Sequence, residues 1–238
     1  MRTLIVNADD FGLSPCVNDG VLQAHVEGIV TSASLMVRRR ATVHAVAAAN
    51  DFPGLSLGLH VDLGEWGYRD GEWSPFYVWA ETSDEAAVAA ELESQVATFV
   101  ALVGRNPTHL DSHQHVHLEE PARSLIGAMA RELGVPLRHR APIHYCGRFY
   151  GQTSEGHPLP EAITPAVLVQ LIRELPDGIT ELGCHPASRP EPGFAYGLPR
   201  VIELASLCNP SVRQTLDTSG VRLASFADLH RVDHYASE

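Results

Sequence analysis

The chain has 238 residues, of which 45% are hydrophobic and 19% are charged. These values fit one folded domain spanning residues 1–238 and exclude a disordered chain. The apolar runs are much shorter than the about 20 residues of a transmembrane helix, so no membrane span is predicted. The formal net charge of −12 opposes the basic face that binds nucleic acid, so we expect no nucleic-acid partner.

The N-terminal segment and the cysteines indicate the compartment. Asp9 and Asp10 fall where a secretory signal peptide would still need apolar residues, so we expect a cytoplasmic protein. The cysteines are far apart and form no C-x-x-C pair, which is typical of reduced thiols and not of a disulfide framework or a structural zinc site. They are Cys16, Cys146, Cys184 and Cys208.

Short apolar strands alternate with helical segments along the chain. The predicted strands are Thr3–Asn7, Thr31–Val37, Leu55–Leu63, Pro107–His113, Val135–His139, Thr180–His185 and Val221–Ser225. The predicted helices are Pro15–Gly28, Thr42–Asn50, Ser83 to about Val103, Glu119–Leu133, Pro165–Leu175 and Leu198–Leu207 with its continuation, and a short helix follows the last strand. Glu65–Thr82 and His139–Leu159 are predicted to be long loops. The alternation predicts an α/β fold with a parallel sheet. The predicted architecture is a TIM-like (β/α) barrel, whose strands could be fewer or irregular.

Residues that can bind metals fall at the carboxyl ends of four predicted strands. They are Asp9 and Asp10, then His60 and Asp62, then His109, Asp111, His113, His115 and His117, and finally His185. The carboxyl ends of parallel strands converge in such folds, so a common site is predicted there. Alternation along a strand places His109, Asp111 and His113 on one face, and could include His115.

A mixed set of carboxylates and imidazoles suits Zn, Mn, Fe, Co or Ni better than Mg or Ca. Asp9 and Asp10 point to opposite sides of a regular strand, but a turn at Phe11–Gly12 would bring both into one site. One carboxylate would then bind the metal and the other would accept a proton.

Each of these residues also has an ordinary structural interpretation. Asp9 and Asp10 could cap a helix, His60 could be a hydrogen-bonded core histidine, and His185 could be a turn residue. The segment from His113 to His117 could be a solvated loop. Their shared placement on successive strand ends favours the metal site.

The sequence resembles the YdjC-like carbohydrate deacetylases in motifs that span nearly the whole chain. The matching segments are Ile5–Ser14 (IVNADDFGLS), Gly28–Ser32 (GIVTS), Gly58–His60 (GLH), Pro107–His117 (PTHLDSHQHVH), Cys184–Pro186 (CHP), and Pro199-Arg200 with Glu203-Leu204. They occur in the order of the family.

The resemblance implies a TIM-like barrel related to the polysaccharide deacetylases. It also implies one divalent metal ion, usually magnesium, bound by Asp10, His60 and His113, with Asp9 as the general base. The implied substrates are N-acetylated amino sugars such as chitin-derived disaccharides.

Further roles are expected on chemical grounds. A histidine near neutrality must protonate the leaving amine, and we expect His185 in this role, with His115 as its rival. Substrate contacts are expected from His115, Asp111 and Arg138, although Asp111 could instead orient a histidine and Arg138 could instead be an ordinary surface residue. The aromatic residues Trp66, Trp73, Phe76 and Tyr77 could stack on a sugar ring, although ordinary packing within the loop is the favoured interpretation.

Two alternatives remain open at this point. A metal-dependent hydrolase of another bond, such as a phosphoester, would need cationic clamps that the strand ends scarcely supply. A non-catalytic sugar- or metal-binding barrel would have no need of the second carboxylate of the Asp9–Asp10 pair.

Overall fold

The computed structural model describes residues 1–69, 71–191 and 196–229. Its strands are β1 (Arg2–Phe11), β2 (Ser32–Leu35), β3 (Ser56–Val61), β4 (Gly64–Arg69), β5 (Glu72–Val78), β6 (Leu110–Ser112), β7 (Ile143–Cys146), β8 (Gly178–Cys184) and β9 (Arg222–Ala224). Its helices are α1 (Pro15–Val26), α2 (Thr42–Ala49), α3 (Glu85–Val103), α4 (Ala122–Leu133), α5 (Pro165–Arg173), α6 (Leu198–Leu207), α7 (Pro210–Ser219) and α8 (Phe226–Leu229).

A curled parallel sheet forms the centre of the molecule. Six of its seven strands follow the order β6-β3-β2-β1-β8-β7, and the seventh, β9, pairs with β1. β8 pairs with β1 from Arg2 to Ala8, so β9 and β2 share the opposite edge of β1. The α/β fold is therefore a TIM-like barrel with fewer strands, as the sequence predicts, and its longest strand, β1, lies in the middle.

Helix ends follow the local sequence signals. The Ser14 hydroxyl accepts a hydrogen bond from the Val17 N–H at the start of α1, and the Asp84 carboxylate accepts from Ala86 and Ala87 at the start of α3. The cap of α3 is thus one residue beyond the predicted Ser83. Gly104 ends α3 in a left-handed conformation with φ of 77°.

Helix α3 is the one helix among the described residues whose length and hydropathy reach those of a membrane span. Its buried face carries Val88, Leu92 and Phe99, and it packs against β3 and α4. A helix that packs against a protein core passes the same composition test.

The predicted strand Val135–His139 is wrong. Only Leu137 of this segment pairs with the sheet, through a single parallel bridge to Leu110. His139 has a φ of 63°, which ends the extended backbone. The strand that joins the sheet is β7, which lies inside the predicted loop His139–Leu159 and pairs with β8.

The predicted loop Glu65–Thr82 is also wrong, because β4 and β5 form an antiparallel hairpin there. The sequence carries a signal for it, since an Asp-Gly dipeptide at 70–71 stands between two runs rich in aromatic residues. Gly71 has a φ of 88°, which favours glycine.

Candidate active site

Asp9 and Asp10 lie near the carboxyl end of β1, where the strand is irregular. Its pairing with β2 shifts register between Ala8 and Phe11, and Asp10 has a φ of 62°. The strand continues to Phe11, so this local distortion takes the place of the predicted turn at Phe11–Gly12. As a result, the two adjacent carboxylates reach different partners in one buried site.

Asp10, His60 and His113 meet in one group. Asp10 Oδ1 lies 3.3 Å from His60 Nε2 and 3.1 Å from His113 Nδ1. Each residue can offer one ligand atom within 4.8 Å of the other two. His60 lies on β3, whereas His113 lies just beyond β6, on a 3₁₀ turn at His113–Leu118. His113 is therefore outside the predicted strand Pro107–His113, but it still reaches the carboxyl edge of the sheet.

The surroundings of His60 fit a metal ligand. Its Nδ1 lies 2.7 Å from Asp111 Oδ1, an arrangement that fixes the ring and directs Nε2 toward Asp10. Burial lowers the pKa of His60, but Asp111 and Asp10 outweigh burial and raise this pKa well above its usual value. These carboxylates thus favour positive charge at the position where a divalent ion would bind. The donor set of one carboxylate and two imidazoles also suits such an ion.

Asp10 itself is held by a residue from α6. Arg200 Nη2 lies 2.5 Å from Asp10 Oδ2, which leaves Oδ1 facing the two imidazoles. Burial raises the pKa of Asp10, but Arg200 and the hydrogen bonds of His113 and His60 outweigh it and hold the pKa well below its usual value. Asp10 is therefore ionised and offers an anionic oxygen to a cation.

Asp9 is gripped by Arg138. The Arg138 nitrogens Nη1 and Nη2 lie 2.7 Å from Asp9 Oδ2 and Oδ1. Burial raises the pKa of Asp9, but Arg138 outweighs burial, so this pKa lies below its usual value. Asp9 is thus ionised and fixed in orientation, as a proton acceptor must be.

Three carboxylates surround the single guanidinium of Arg138. Besides Asp9, it contacts Asp111 Oδ2 at 2.8 Å and Glu181 Oε1 at 2.6 Å. Burial raises the pKa of Glu181 to about 7, because Arg138 offsets burial only in part. The guanidinium therefore connects three strands beneath the site, because Asp9 lies on β1, Asp111 on β6 and Glu181 on β8.

His185 follows β8 directly and faces the second oxygen of Asp9. Its Nε2 lies 3.7 Å from Asp9 Oδ2, and its Nδ1 lies 3.8 Å from Glu203 Oε1. The His185 backbone N–H also donates to Glu203 Oε2. Burial lowers the pKa of His185, but Glu203 outweighs burial and raises it.

These groups form the floor of a cavity of about 650 Å³. Asp9, Asp10, His60, His113 and His185 line it. Its walls carry aromatic residues from the β4–β5 hairpin, from β7 and from later loops. They are Trp66, Tyr68, Trp73, Phe76, Tyr145, Phe149, Tyr150 and Tyr196.

The residues predicted to bind substrate have different positions. His115 lines the cavity and contacts the Tyr145 ring, with 5.3 Å between ring centroids. Asp111 and Arg138 are 0% and 3% exposed and lie behind the cavity, bound to each other. Their contacts orient His60 and Asp9.

Two predicted partners of the site belong to other clusters. Asp62 pairs with Arg39 at 3.0 Å and accepts hydrogen bonds from Tyr77 and Trp79. His109 is 1% exposed and stacks on Phe226, with 3.8 Å between ring centroids. Burial lowers the pKa of His109 to about 3, so it is a neutral core histidine.

Sequence reasoning gave no role to Arg200 or Glu203, which hold Asp10 and His185. Both are buried on α6, three residues apart and thus on one helix face. A buried Arg and Glu at this spacing in an otherwise apolar helix are a signal that could have identified them.

Comparison with known proteins shows the family of the chain. The model of the YdjC-like protein family matches residues 3–218. The chitooligosaccharide deacetylase of Serratia marcescens is 34% identical over 96% of this chain and 99% of its own length.

Solved structures share the fold. A protein from Enterococcus faecalis that is named for cellobiose-phosphate cleavage has 25% identity and a TM-score of 0.77, over 96% of this chain and 98% of its own. A family 4 acetyl xylan esterase from Clostridium thermocellum, in complex with cobalt, has 13% identity and a TM-score of 0.55, over 97% and 91% of the two chains. At this identity the esterase shows a likeness of fold alone. The family match and the identity to the Serratia protein, both over nearly the whole chain, show that this chain belongs to the YdjC-like family.

Proposed function

We propose that this protein is a metal-dependent deacetylase that hydrolyses the N-acetyl group of acetylated amino sugars of the chitooligosaccharide type. The observation that carries the proposal is the pairing of a metal-binding group, Asp10, His60 and His113, with a separate ionised carboxylate, Asp9, on one cavity floor. The activity of the Serratia relative supports the same reaction.

The proposed mechanism assigns one task to each group. A divalent ion bound by Asp10, His60 and His113 would polarise the amide carbonyl and lower the pKa of the attacking water. Asp9 accepts the proton of that water, and Arg138 holds Asp9 in position. His185 then protonates the leaving nitrogen, since an amide anion is a poor leaving group.

Geometry supports His185 over His115 as the general acid. His185 Nε2 lies 3.7 Å from Asp9 Oδ2, and Glu203 raises the pKa of His185 against the effect of burial. Burial lowers the pKa of His115 to about 4, so His115 is neutral when the site is active. We assign His115 to the cavity wall.

The cavity wall supports a sugar substrate. Exposed aromatic rings on a hairpin can stack on the apolar faces of sugar rings, and Trp73 is 58% exposed at the rim. The cavity volume of about 650 Å³ suits a small oligosaccharide.

Magnesium is the proposed ion on the basis of the family resemblance, and Zn²⁺ or another transition metal also fits two imidazoles and one carboxylate. A cytoplasmic location remains a prediction from the sequence. Activity of the apoprotein reconstituted with Mg²⁺, Zn²⁺, Mn²⁺ or Co²⁺ in turn identifies the ion.

The test is acetate release from N,N′-diacetylchitobiose by the metal-loaded protein, with phosphate release from a phosphorylated disaccharide as the competing assay. We expect acetate and no phosphate, because Arg200 is the single arginine among the described residues that line the cavity and it is already paired with Asp10. Phosphate without acetate would favour phosphoester hydrolysis. Sugar binding without turnover of either substrate would favour a binding protein.

A further inference from the structure

A second cluster of histidines lies outside the proposed catalytic group. His115, His117 and His139 can each offer a ring nitrogen within 4.8 Å of the other two. The ring centroids of His115 lie 5.8 Å from His117 and 5.2 Å from His139. This cluster shares no residue with the group of Asp10, His60 and His113.

Two ring nitrogens of this cluster are buried without a hydrogen-bond partner among the described residues. They are His115 Nδ1 and His117 Nε2. His117 is 2% exposed, and its other nitrogen, Nδ1, lies 2.5 Å from Ser112 Oγ. When Nδ1 donates to that hydroxyl, Nε2 keeps its lone pair, as in a metal-binding histidine oriented by an outer partner. A buried polar atom without a partner is unfavourable, and a bound cation would supply one.

The backbone is also unusual at this cluster. The described non-glycine residues with positive φ are Asp10, Gln114, His115 and His139. Asp10 is a proposed metal ligand, and the other three belong to the histidine cluster or adjoin it. Left-handed conformations of non-glycine residues are unfavourable and concentrate at functional sites.

We propose that His115, His117 and His139 form a second metal site, specific for transition metals such as Zn²⁺. Three imidazoles without a carboxylate favour Zn²⁺, Ni²⁺ or Cu²⁺ over the hard cation Mg²⁺. A fourth, open position would face solvent, because His139 is exposed. The bound ion would link the 3₁₀ turn after β6 to the segment that precedes β7.

The test is the stoichiometry of Zn²⁺ in tag-free protein that has been stripped with chelator, reloaded and dialysed. We expect two Zn²⁺ per chain in the wild type and one in His139→Asn and in His115→Asn. Asn tolerates the left-handed backbone at both positions but is too short to reach the ion. Affinity for the second Zn²⁺ should fall by about 100-fold or more.

Matched variants separate this site from the proposed catalytic one. Asp10→Asn should keep one Zn²⁺, bound by the histidine cluster, and His157→Gln, which changes an exposed histidine outside the cluster, should keep two. In the Asp10→Asn variant, Co²⁺ should give the visible absorption of a low-coordinate imidazole site, and His139→Asn in the same background should abolish it.

Two results would overturn the second site: two Zn²⁺ retained in both His115→Asn and His139→Asn, or no Zn²⁺ bound by Asp10→Asn. Neither result depends on turnover, so loss of the proposed deacetylase activity is a separate outcome.

Discussion

Both carboxylate oxygens of Asp9 accept hydrogen bonds from Arg138, which fixes the direction in which Asp9 can accept a proton. The same guanidinium lowers the pKa of Asp9 against the effect of burial. Asp9 is therefore ionised at neutral pH. Its lower pKa also makes it a weaker base. A base that is always available and correctly aligned is useful when the pKa of the attacking water is itself lowered.

Replacement of Asp9 by Asn tests this role. Asn retains the shape of Asp and one acceptor for Arg138 but cannot take a proton, so we expect kcat for acetate release to fall by ~10²-fold or more. Metal content should be unchanged, because Arg138 already occupies both carboxylate oxygens of Asp9. Acetate release at the wild-type rate by metal-loaded Asp9→Asn would disprove the assignment of the base.

Glu181 shows how burial distributes protons among three carboxylates that share one guanidinium. Burial raises the pKa of Glu181 to about 7, because the charge of Arg138 offsets burial only in part. The unfolded value is about 4.3. Between about pH 4.3 and pH 7, Glu181 is protonated in the folded protein and ionised in the unfolded chain. The contribution of Glu181 to the free energy of unfolding is therefore fully present below about pH 4.3 and is lost as the pH rises through 7.

Glu181→Gln should remove this pH dependence. Relative to the variant, the wild type should lose roughly 2–4 kcal/mol of unfolding free energy between pH 4 and pH 8, since each pKa unit corresponds to about 1.4 kcal/mol. Urea unfolding of both proteins across this range measures the difference. Parallel curves for the two proteins would mean that folding does not shift the pKa of Glu181.

At the scale of single elements, β3 depends on a glycine that lets a histidine pack against it. A Cβ at Gly58 would lie 2.3 Å from His109 Cε1. The His109 ring cannot easily move, because it stacks on Phe226 and lies 3.0 Å from Ser34 Oγ. Gly58 is thus a packing requirement of the strand that carries His60.

Gly58→Ala should therefore destabilise the protein by about 1–3 kcal/mol through overpacking. Gly127→Ala is the matched control, because its Cβ would meet its nearest neighbour, Arg131 Nη1, at an ordinary 3.6 Å. This control lies inside α4, where Ala is favoured over Gly by about 0.5–1 kcal/mol. Thermal unfolding of the two variants should move Tm in opposite directions, and an equal Tm would contradict the packing argument.

The accuracy of the sequence predictions varied between elements for physical reasons. β1, β3 and β8 are buried apolar runs, and such runs indicate central parallel strands. β7 is short and includes the exposed His144, so it lacks that signature. The Val135–His139 segment has the composition of a strand, but tertiary structure allows it only one bridge.

The β4–β5 hairpin provides a prediction about substrate length. Trp73 is exposed at the cavity rim and lies near the turn of the hairpin, where it pairs with Tyr68. It is therefore placed to contact a sugar unit beyond the one that reacts. Trp73→Ala should raise KM for chitotriose by about 5- to 10-fold, the equivalent of 1–1.5 kcal/mol of lost aromatic contact, and leave kcat nearly unchanged. Val78→Ala, on the same hairpin but outside the cavity lining, is the control. An unchanged KM in Trp73→Ala would mean that the hairpin does not bind the sugar.

At the scale of the whole molecule, topology explains which site residues the sequence could predict. Asp10, His60 and His113 lie at or just beyond the carboxyl ends of β1, β3 and β6, which are close together in the parallel sheet. Their convergence therefore follows from the alternation of strands and helices. The contact of Arg200 with Asp10 joins residues 190 positions apart, and it depends on how α6 docks against the sheet. The spacing of Arg200 and Glu203 on α6 can indicate that both are buried, but it does not indicate which carboxylate or histidine each one contacts.

Removal of the metal tests how far the site supports the fold. Asp10, His60 and His113 come from three separate parts of the chain, so a bound ion would link them and stabilise the folded state by RT ln(1 + [M]/Kd), about 2.7 kcal/mol at 100 times Kd. The sheet itself is held by backbone pairing between β1, β2, β3 and β8 and by a buried apolar core, which need no ion. Dialysis against a chelator should therefore abolish acetate release and lower Tm by roughly 5–10 °C, while far-UV circular dichroism at 25 °C stays unchanged. Acetate release should return when the ion is added back, and full activity after verified removal of all metal would contradict the proposed mechanism.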